Sequence, residues 1–232
     1  MELDNGVLAI QGPPGAGKTF TAAHMICALV RAGKKVGVTA NSHQVIRTVL
    51  DKVVEVAKKE HVPVTCIQKP KEKQADVDGI RFTQKNEEIL AALQSSCQVA
   101  GATAWFWAKE AACECVDVLF VDEAAQMSMA NVLAVSQACR TLVLIGDPRQ
   151  LEQPMQGSHP EGTDLSALDY LLDGHATIGG QQGLFLEETR RLHPDICAFT
   201  SEIFYEGRLR PHPGLECQRI RSSSRVSGAG LR

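Results

Sequence analysis

Residues 12–19 read Gly-Pro-Pro-Gly-Ala-Gly-Lys-Thr, a G-x-x-x-x-G-K-T stretch, and nothing else in the chain restricts its fold as tightly. The pattern binds phosphate only between a strand and a helix. Its glycines let the backbone wrap closely around a polyphosphate, and successive N–H groups, those at the helix N-terminus among them, turn toward the anion. Both flanks have the required character. Gly6-Val7-Leu8-Ala9-Ile10 is an apolar run with a strand over Val7 to Ile10, and Phe20 to Arg31 is a helical run closed by Gly33. The phosphate-binding residues are therefore Gly12, Pro13, Pro14, Gly15, Ala16, Gly17, Lys18 and Thr19. In such a loop the lysine, Lys18, reaches the β- and γ-phosphates, and the Thr19 hydroxyl holds Mg²⁺.

The rest of the chain alternates in the same way. Lys34 to Thr39 reads as a strand, Ser42 as a helix start, and Gln44 to Glu60 as an amphipathic helix ended by His61 and Pro63. A short strand is expected over Val62 to Ile67, then an exposed charged loop over Lys69 to Asp78. Helices are expected over Asn86 to Leu93 and Trp105 to Ala112, with a strand over Cys97 to Ala102 between them. Strongly apolar strands follow at Val116 to Val121 and Thr141 to Ile145, separated by a helix over Met127 to Cys139. Residues 153–183 are richer in Gly, Pro and His around one helical piece, Leu165 to Leu172. A strand at Leu184 to Leu186 and a helix over Pro194 to Tyr205 precede a Ser/Gly-rich end, Arg221 to Arg232. Apolar strands alternating with helices imply an α/β fold, a parallel sheet with helices on both faces. In such sheets ligands sit at the carboxyl ends of the strands. The phosphate loop, Ser42, Thr103, Asp122-Glu123 and Asp147 to Gln150 all fall there.

Composition narrows the function classes. The 232 residues carry 24 Lys and Arg against 27 Asp and Glu, a formal net charge of −3, so the whole molecule is no basic nucleic-acid binder and any such site must be local. No apolar run is long enough to span a membrane, and the acidic start Met1 to Asn5 has no signal-peptide pattern. The eight cysteines lack metal-ligand spacing, and several lie in apolar runs, so they read as reduced thiols of a cytoplasmic protein.

Two acidic segments complete the chemistry. Asp122-Glu123 ends an apolar strand; there an Asp can hold Mg²⁺ and a neighbouring Glu can orient and deprotonate a water. Gly146-Asp147-Pro148-Arg149-Gln150-Leu151 follows another strand, and an amide such as Gln150 beside a γ-phosphate can report its presence. Trp105 and Trp107 can stack on bases, but inside an A-W-F-W-A run both are expected in the core.

The ordered series GPPGAGKT, TANSH, GATAW, VDEAAQ, IGDPRQL and TRRLHPDI resembles superfamily 1 helicases, of the up-frameshift and Okazaki-fragment nuclease-helicase type. Arg191 to Cys197 and Phe204-Tyr205-Glu206-Gly207-Arg208-Leu209 are similar to bacterial proteins that join a RecB-like nuclease to a DNA helicase. The resemblance covers nearly the whole chain. It implies a RecA-like P-loop NTPase lobe over 1–183 and the opening of a second RecA-like lobe over 184–232. It also implies ATP and Mg²⁺ as cofactors. Lys18, Glu123, Gln150 and Arg191 are the catalytic set it implies, with Thr19 and Asp122 at the metal and Glu123 as the base. Arg190 stands where the family often has an aromatic residue, and the R-x-H-P spacing favours Arg191 as the arginine aimed at the γ-phosphate. Ser42, His43 and Thr103 match positions that touch a nucleic-acid backbone. Single-stranded nucleic acid, DNA ahead of RNA, is the implied partner, with 5′ to 3′ movement and no membrane role. The family's later G-x-E and T-R-A segments are not found after Tyr205, and little precedes the phosphate loop. The chain is thus expected to be a piece of a longer protein, with a second lobe and, by the likeness to nuclease-helicase fusions, a fused nuclease elsewhere, and not to unwind duplexes alone. The alternatives are an RNA helicase of the same superfamily and a non-motor nucleotide switch.

Overall fold

The computed structural model describes residues 5–150 and 165–218. Leu151, the first part of the Gly/Pro/His-rich stretch and the Ser/Gly-rich end lie outside the described residues.

In chain order the elements are β1 (Val7–Gln11), α1 (Lys18–Arg31), β2 (Val36–Thr39), α2 (His43–Glu60), β3 (Cys66–Gln68), β4 (Ile80–Phe82), α3 (Asn86–Ser95), β5 (Val99–Gly101) and α4 (Ala104–Trp107). They continue with β6 (Val116–Asp122), α5 (Met129–Ser136), β7 (Cys139–Gly146), α6 (Ala167–Leu172), β8 (Gly183–Phe185), β9 (Glu188–Thr189), α7 (Pro194–Phe204) and β10 (Arg210–Pro211). The first eight strands form one sheet in the order β4-β3-β5-β2-β6-β7-β1-β8, and every pairing in it is parallel. β9 and β10 form a separate parallel pair.

The sheet is buried on both faces, which explains why its strands read as unbroken apolar runs. Leu8 and Ile10 of β1 pack with α1 and α2, while Ala9 between them faces the layer that holds α3 to α6. In α2, Ile46, Val49, Leu50, Val53 and Val54 are buried at helical spacing. Burying each such side chain contributes about 1.5–3 kcal/mol. The Ser42 hydroxyl caps this helix by accepting the Val45 N–H at 3.1 Å, and His61 ends it in a left-handed turn with φ 55°.

Tertiary packing redrew several local boundaries. The helix expected over Trp105 to Ala112 is a four-residue helix followed by a 3-10 turn at Glu110–Ala112. Trp107 breaks the run by turning into the core, where its indole N–H donates to the Ala102 carbonyl at 2.9 Å. The expectation of two core tryptophans holds for Trp107 and fails for Trp105, which is 86% exposed. The helix expected from Met127 starts at Met129 because Ser128 caps it, and Cys139 already belongs to β7. The strand expected over Val62 to Ile67 is confined to Cys66–Gln68. β4 went unread: it is an edge strand of three residues with only Ile80 fully buried, too short to show a period. The boundary expected after residue 183 falls inside β8, which pairs with β1 and so belongs to the main sheet.

Candidate functional site

β1 delivers the chain into the phosphate loop, and the Gly12 N–H anchors it by donating to the Gly146 carbonyl at the end of β7 (2.9 Å). Gly15 (φ 76°) and Gly17 (φ 84°) hold left-handed conformations that side chains resist. Gly17 also precedes α1 with no side-chain cap, so the first-turn amides of α1 stay available to an anion. The Lys18 ammonium donates to the Gly12 carbonyl at 2.9 Å, folded over the loop. Pro13 to Phe20, Glu123, Gln150 and Arg191 together line a cleft of about 220 Å³.

Asp122 ends β6 and is 5% exposed. One of its oxygens accepts the Glu123 N–H at 3.0 Å. Burial first, and then the Glu123 charge, push its carboxyl up to about 6, against the pull of that N–H and of Lys18. Glu123 takes a left-handed conformation (φ 52°), which turns the chain sharply after the strand, and the residue lines the cleft.

A pH dependence follows for the nucleotide- and metal-free protein. The folded-state value of Asp122 lies above its ordinary 3.8, so its ionisation opposes folding. Both states are protonated well below 3.8, and both are ionised above about 6, where the penalty is complete. Asp122→Asn should therefore stabilise the protein at pH 7 to 8 by up to about 3 kcal/mol, with the gain fading as pH falls toward 4. Urea unfolding in chelator across that range measures it; a gain that grows in acid would refute the assignment.

The segment carrying Arg191 is sewn to the phosphate loop. The Arg190 N–H donates to the Gly15 carbonyl (2.9 Å), and the buried Thr189 hydroxyl donates to the Pro14 carbonyl (2.8 Å). A Cβ at Gly15 would collide with that of Arg191, so glycine is required for this approach. Arg191 lines the cleft, whereas the Arg190 guanidinium lies 3.3 Å from Glu188. Sequence reasoning missed Thr189. It also missed Gln11, whose buried amide donates to the Ala176 carbonyl and accepts from the Ile178 N–H. Only the polar last residue of an otherwise apolar strand hinted at the latter.

Thr103, Ser42, Glu123, Gln150 and the phosphate loop follow the neighbouring strands β5, β2, β6, β7 and β1, so they line one edge in that order. Ser42 spends its hydroxyl on the cap of α2, and His43 places its Nδ1 2.9 Å from the Lys69 carbonyl. Thr103 precedes α4 without a capping bond from its side chain. A second cavity, of about 710 Å³, opens beside this end and includes Asn41, Ser42, His43, Arg47 and Lys71 in its lining. Trp105 stands exposed two residues beyond Thr103. Ser42 and Thr103 thus share the strand-end edge with the phosphate cleft but do not line it.

Comparison with known proteins places this arrangement. The family model described as AAA domain matches residues 2–162. The chain is 35% identical over 97 residues to the 5′-3′ DNA helicase ZGRF1 of Mus musculus, which is 40% of this chain and 5% of that protein. It is 28% identical over 166 residues to the probable helicase MAGATAMA 3 of Arabidopsis thaliana, 68% of this chain and 18% of that one. The chain therefore spans under a fifth of the length of these relatives. Among solved structures, the arterivirus nonstructural protein 10 helicase in complex with DNA aligns over 90% of this chain and 42% of its own, with a TM-score of 0.55 and 18% identity. At that identity the likeness is one of fold, a RecA-like P-loop NTPase sheet.

Proposed function

The chain belongs to the AAA domain family, and on that premise we propose that it is the ATP-hydrolysing motor lobe of a superfamily 1 helicase that moves along single-stranded DNA, 5′ to 3′. One observation carries the reading. The phosphate loop, the end of β6, the end of β7 and the segment after β9, remote in sequence, converge on one cleft lined by Lys18, Glu123, Gln150 and Arg191.

The residues suit ATP and Mg²⁺. The glycine cradle leaves no room for a Cβ at Gly12 or Gly15, and the uncapped start of α1 aims its amides at an anion. Lys18 and Thr19 would hold the phosphates and the metal, and the Asp122 carboxylate would help to hold the metal. Bound metal supplies charge neutralisation to the transferring phosphoryl group. Glu123 takes the proton of the attacking water, Gln150 orders the γ-phosphate, and Arg191 neutralises the charge that develops there. Residues after β8 open the second lobe in this reading. The longer protein supplies the remainder of that lobe and, in the nuclease-helicase reading, a nuclease domain. The preference for DNA rests on ZGRF1 being a DNA helicase and on the DNA-bound fold relative; an RNA substrate is the second reading.

ATPase activity should rise with single-stranded DNA and less with RNA. Stronger stimulation by RNA would favour the RNA reading, and ATP binding without turnover would favour a nucleotide switch. Ser42, His43 and Thr103 are the proposed backbone contacts, and the exposed Trp105 beside them supports a base-stacking contact. Base–aromatic stacking of this kind contributes about 1–3 kcal/mol. Trp105→Ala should therefore weaken oligonucleotide binding about tenfold to a hundredfold, read by anisotropy. ADP affinity should not change. Unchanged oligonucleotide affinity would remove Trp105 from the path.

A further inference from the structure

The fully buried Asp147 carboxylate ties the end of β7 to the end of α7. One oxygen accepts the Arg149 N–H at 3.2 Å. The other accepts the phenol O–H of Tyr205 at 2.7 Å and lies 3.4 Å from the donor nitrogen of Gln150. The Gln150 N–H also closes a turn onto the Asp147 carbonyl at 3.1 Å. A residue of the cleft and a residue at the C-terminal end of α7 therefore share one acceptor atom.

Tyr205 is well placed to matter there. It is 2% exposed, its ring packs 5.9 Å from that of Phe185, and it follows directly on α7. The other end of α7 begins three residues after Arg191, which lines the cleft. The segment is thus fastened to the ATP-binding sheet at two points, the phosphate loop through Thr189 and Arg190, and the end of β7 through Tyr205. Burial, and then the bond to Asp147, hold the phenol well above its ordinary value, so it remains a donor.

We infer that Tyr205 is a positioning residue that sets Gln150 in the phosphate cleft through Asp147, so that the seating of α7 governs how the site distinguishes a triphosphate from a diphosphate. Without the phenol, Asp147 turns to Gln150, its remaining side-chain donor among the described residues, and draws that amide away from the phosphate. The inference rests on the proposed role of Gln150 at the γ-phosphate.

The test compares affinities of the 232-residue chain for ADP and for a non-hydrolysable ATP analogue. A single hydrogen bond of this kind is expected to govern about a threefold to tenfold preference. Tyr205→Phe should lose that preference for the triphosphate while ADP affinity, the control for a folded phosphate loop, stays at the wild-type value. Gln150→Ala should lose it too, and the double variant should lose no more than either single one, because both act on one contact. A Tyr205→Phe variant that retains the preference while Gln150→Ala abolishes it would overturn the relay alone. A Gln150→Ala variant that retains it, or a wild-type chain with no preference, would overturn the reading of Gln150 and the relay together. Loss of ADP affinity in Tyr205→Phe would also overturn it, by making Tyr205 a support of the whole site.

Discussion

Glu123→Gln should reduce ATP turnover by about 10²–10⁴-fold, the usual worth of a positioned general base, while ATP binding changes by little. The amide matches the carboxylate in shape, so the left-handed turn at residue 123 and the N–H bond to Asp122 are undisturbed. It cannot accept the proton of the attacking water. It also removes the charge that helps push Asp122 up, so metal binding is not weakened on that account. Single-turnover hydrolysis, set beside equilibrium binding of a non-hydrolysable analogue, separates the two effects. Turnover within a fewfold of wild type would mean that Glu123 is not the base. Parallel loss of binding and turnover would make it structural.

Trp107→Ala should be the most destabilising of the single changes considered, by about 3–5 kcal/mol. The indole is fully buried, touches the edge ring Phe106 at a centroid distance of 4.9 Å, and satisfies the Ala102 carbonyl. It fills the space over Gly37 of β2, where even a Cβ would meet its ring and Leu119. Truncation leaves a cavity against the central strands and a carbonyl without its donor. Trp105→Ala, two residues away, should change stability by no more than about 0.5 kcal/mol, as surface changes do. Urea midpoints for the two variants make the comparison, and equal losses would contradict the assignment of one tryptophan to the core and the other to the surface.

Those two residues mark the limit of what could be read in advance. The fold was legible because its signals are local and repeated. A glycine-rich loop needs left-handed backbone at fixed points, apolar runs of strand length need cover on both faces, and α2 shows its buried stripe in its spacing. That the phosphate loop, Asp122, Glu123 and Gln150 fall together was legible because strand ends in a parallel sheet share one edge. β4 was illegible because a three-residue edge strand has no period, and its pairing with β3 is a tertiary fact. The bond between Tyr205 and Asp147 spans 58 positions, and nothing in either neighbourhood announces it.

The sequence alone determined the class of sheet, the order of its strand-end motifs and the position of the phosphate loop, Glu123 and Gln150 at one strand-end edge. Each of these follows from backbone geometry and from short-range patterns of apolarity. Only the tertiary structure decided which of two tryptophans is core, which of two arginines lines the cleft, and that Thr189 and Tyr205 fasten the last segment to the main sheet. Those choices depend on which atoms meet once the chain has closed on itself, where burial and hydrogen bonding are settled by distant partners.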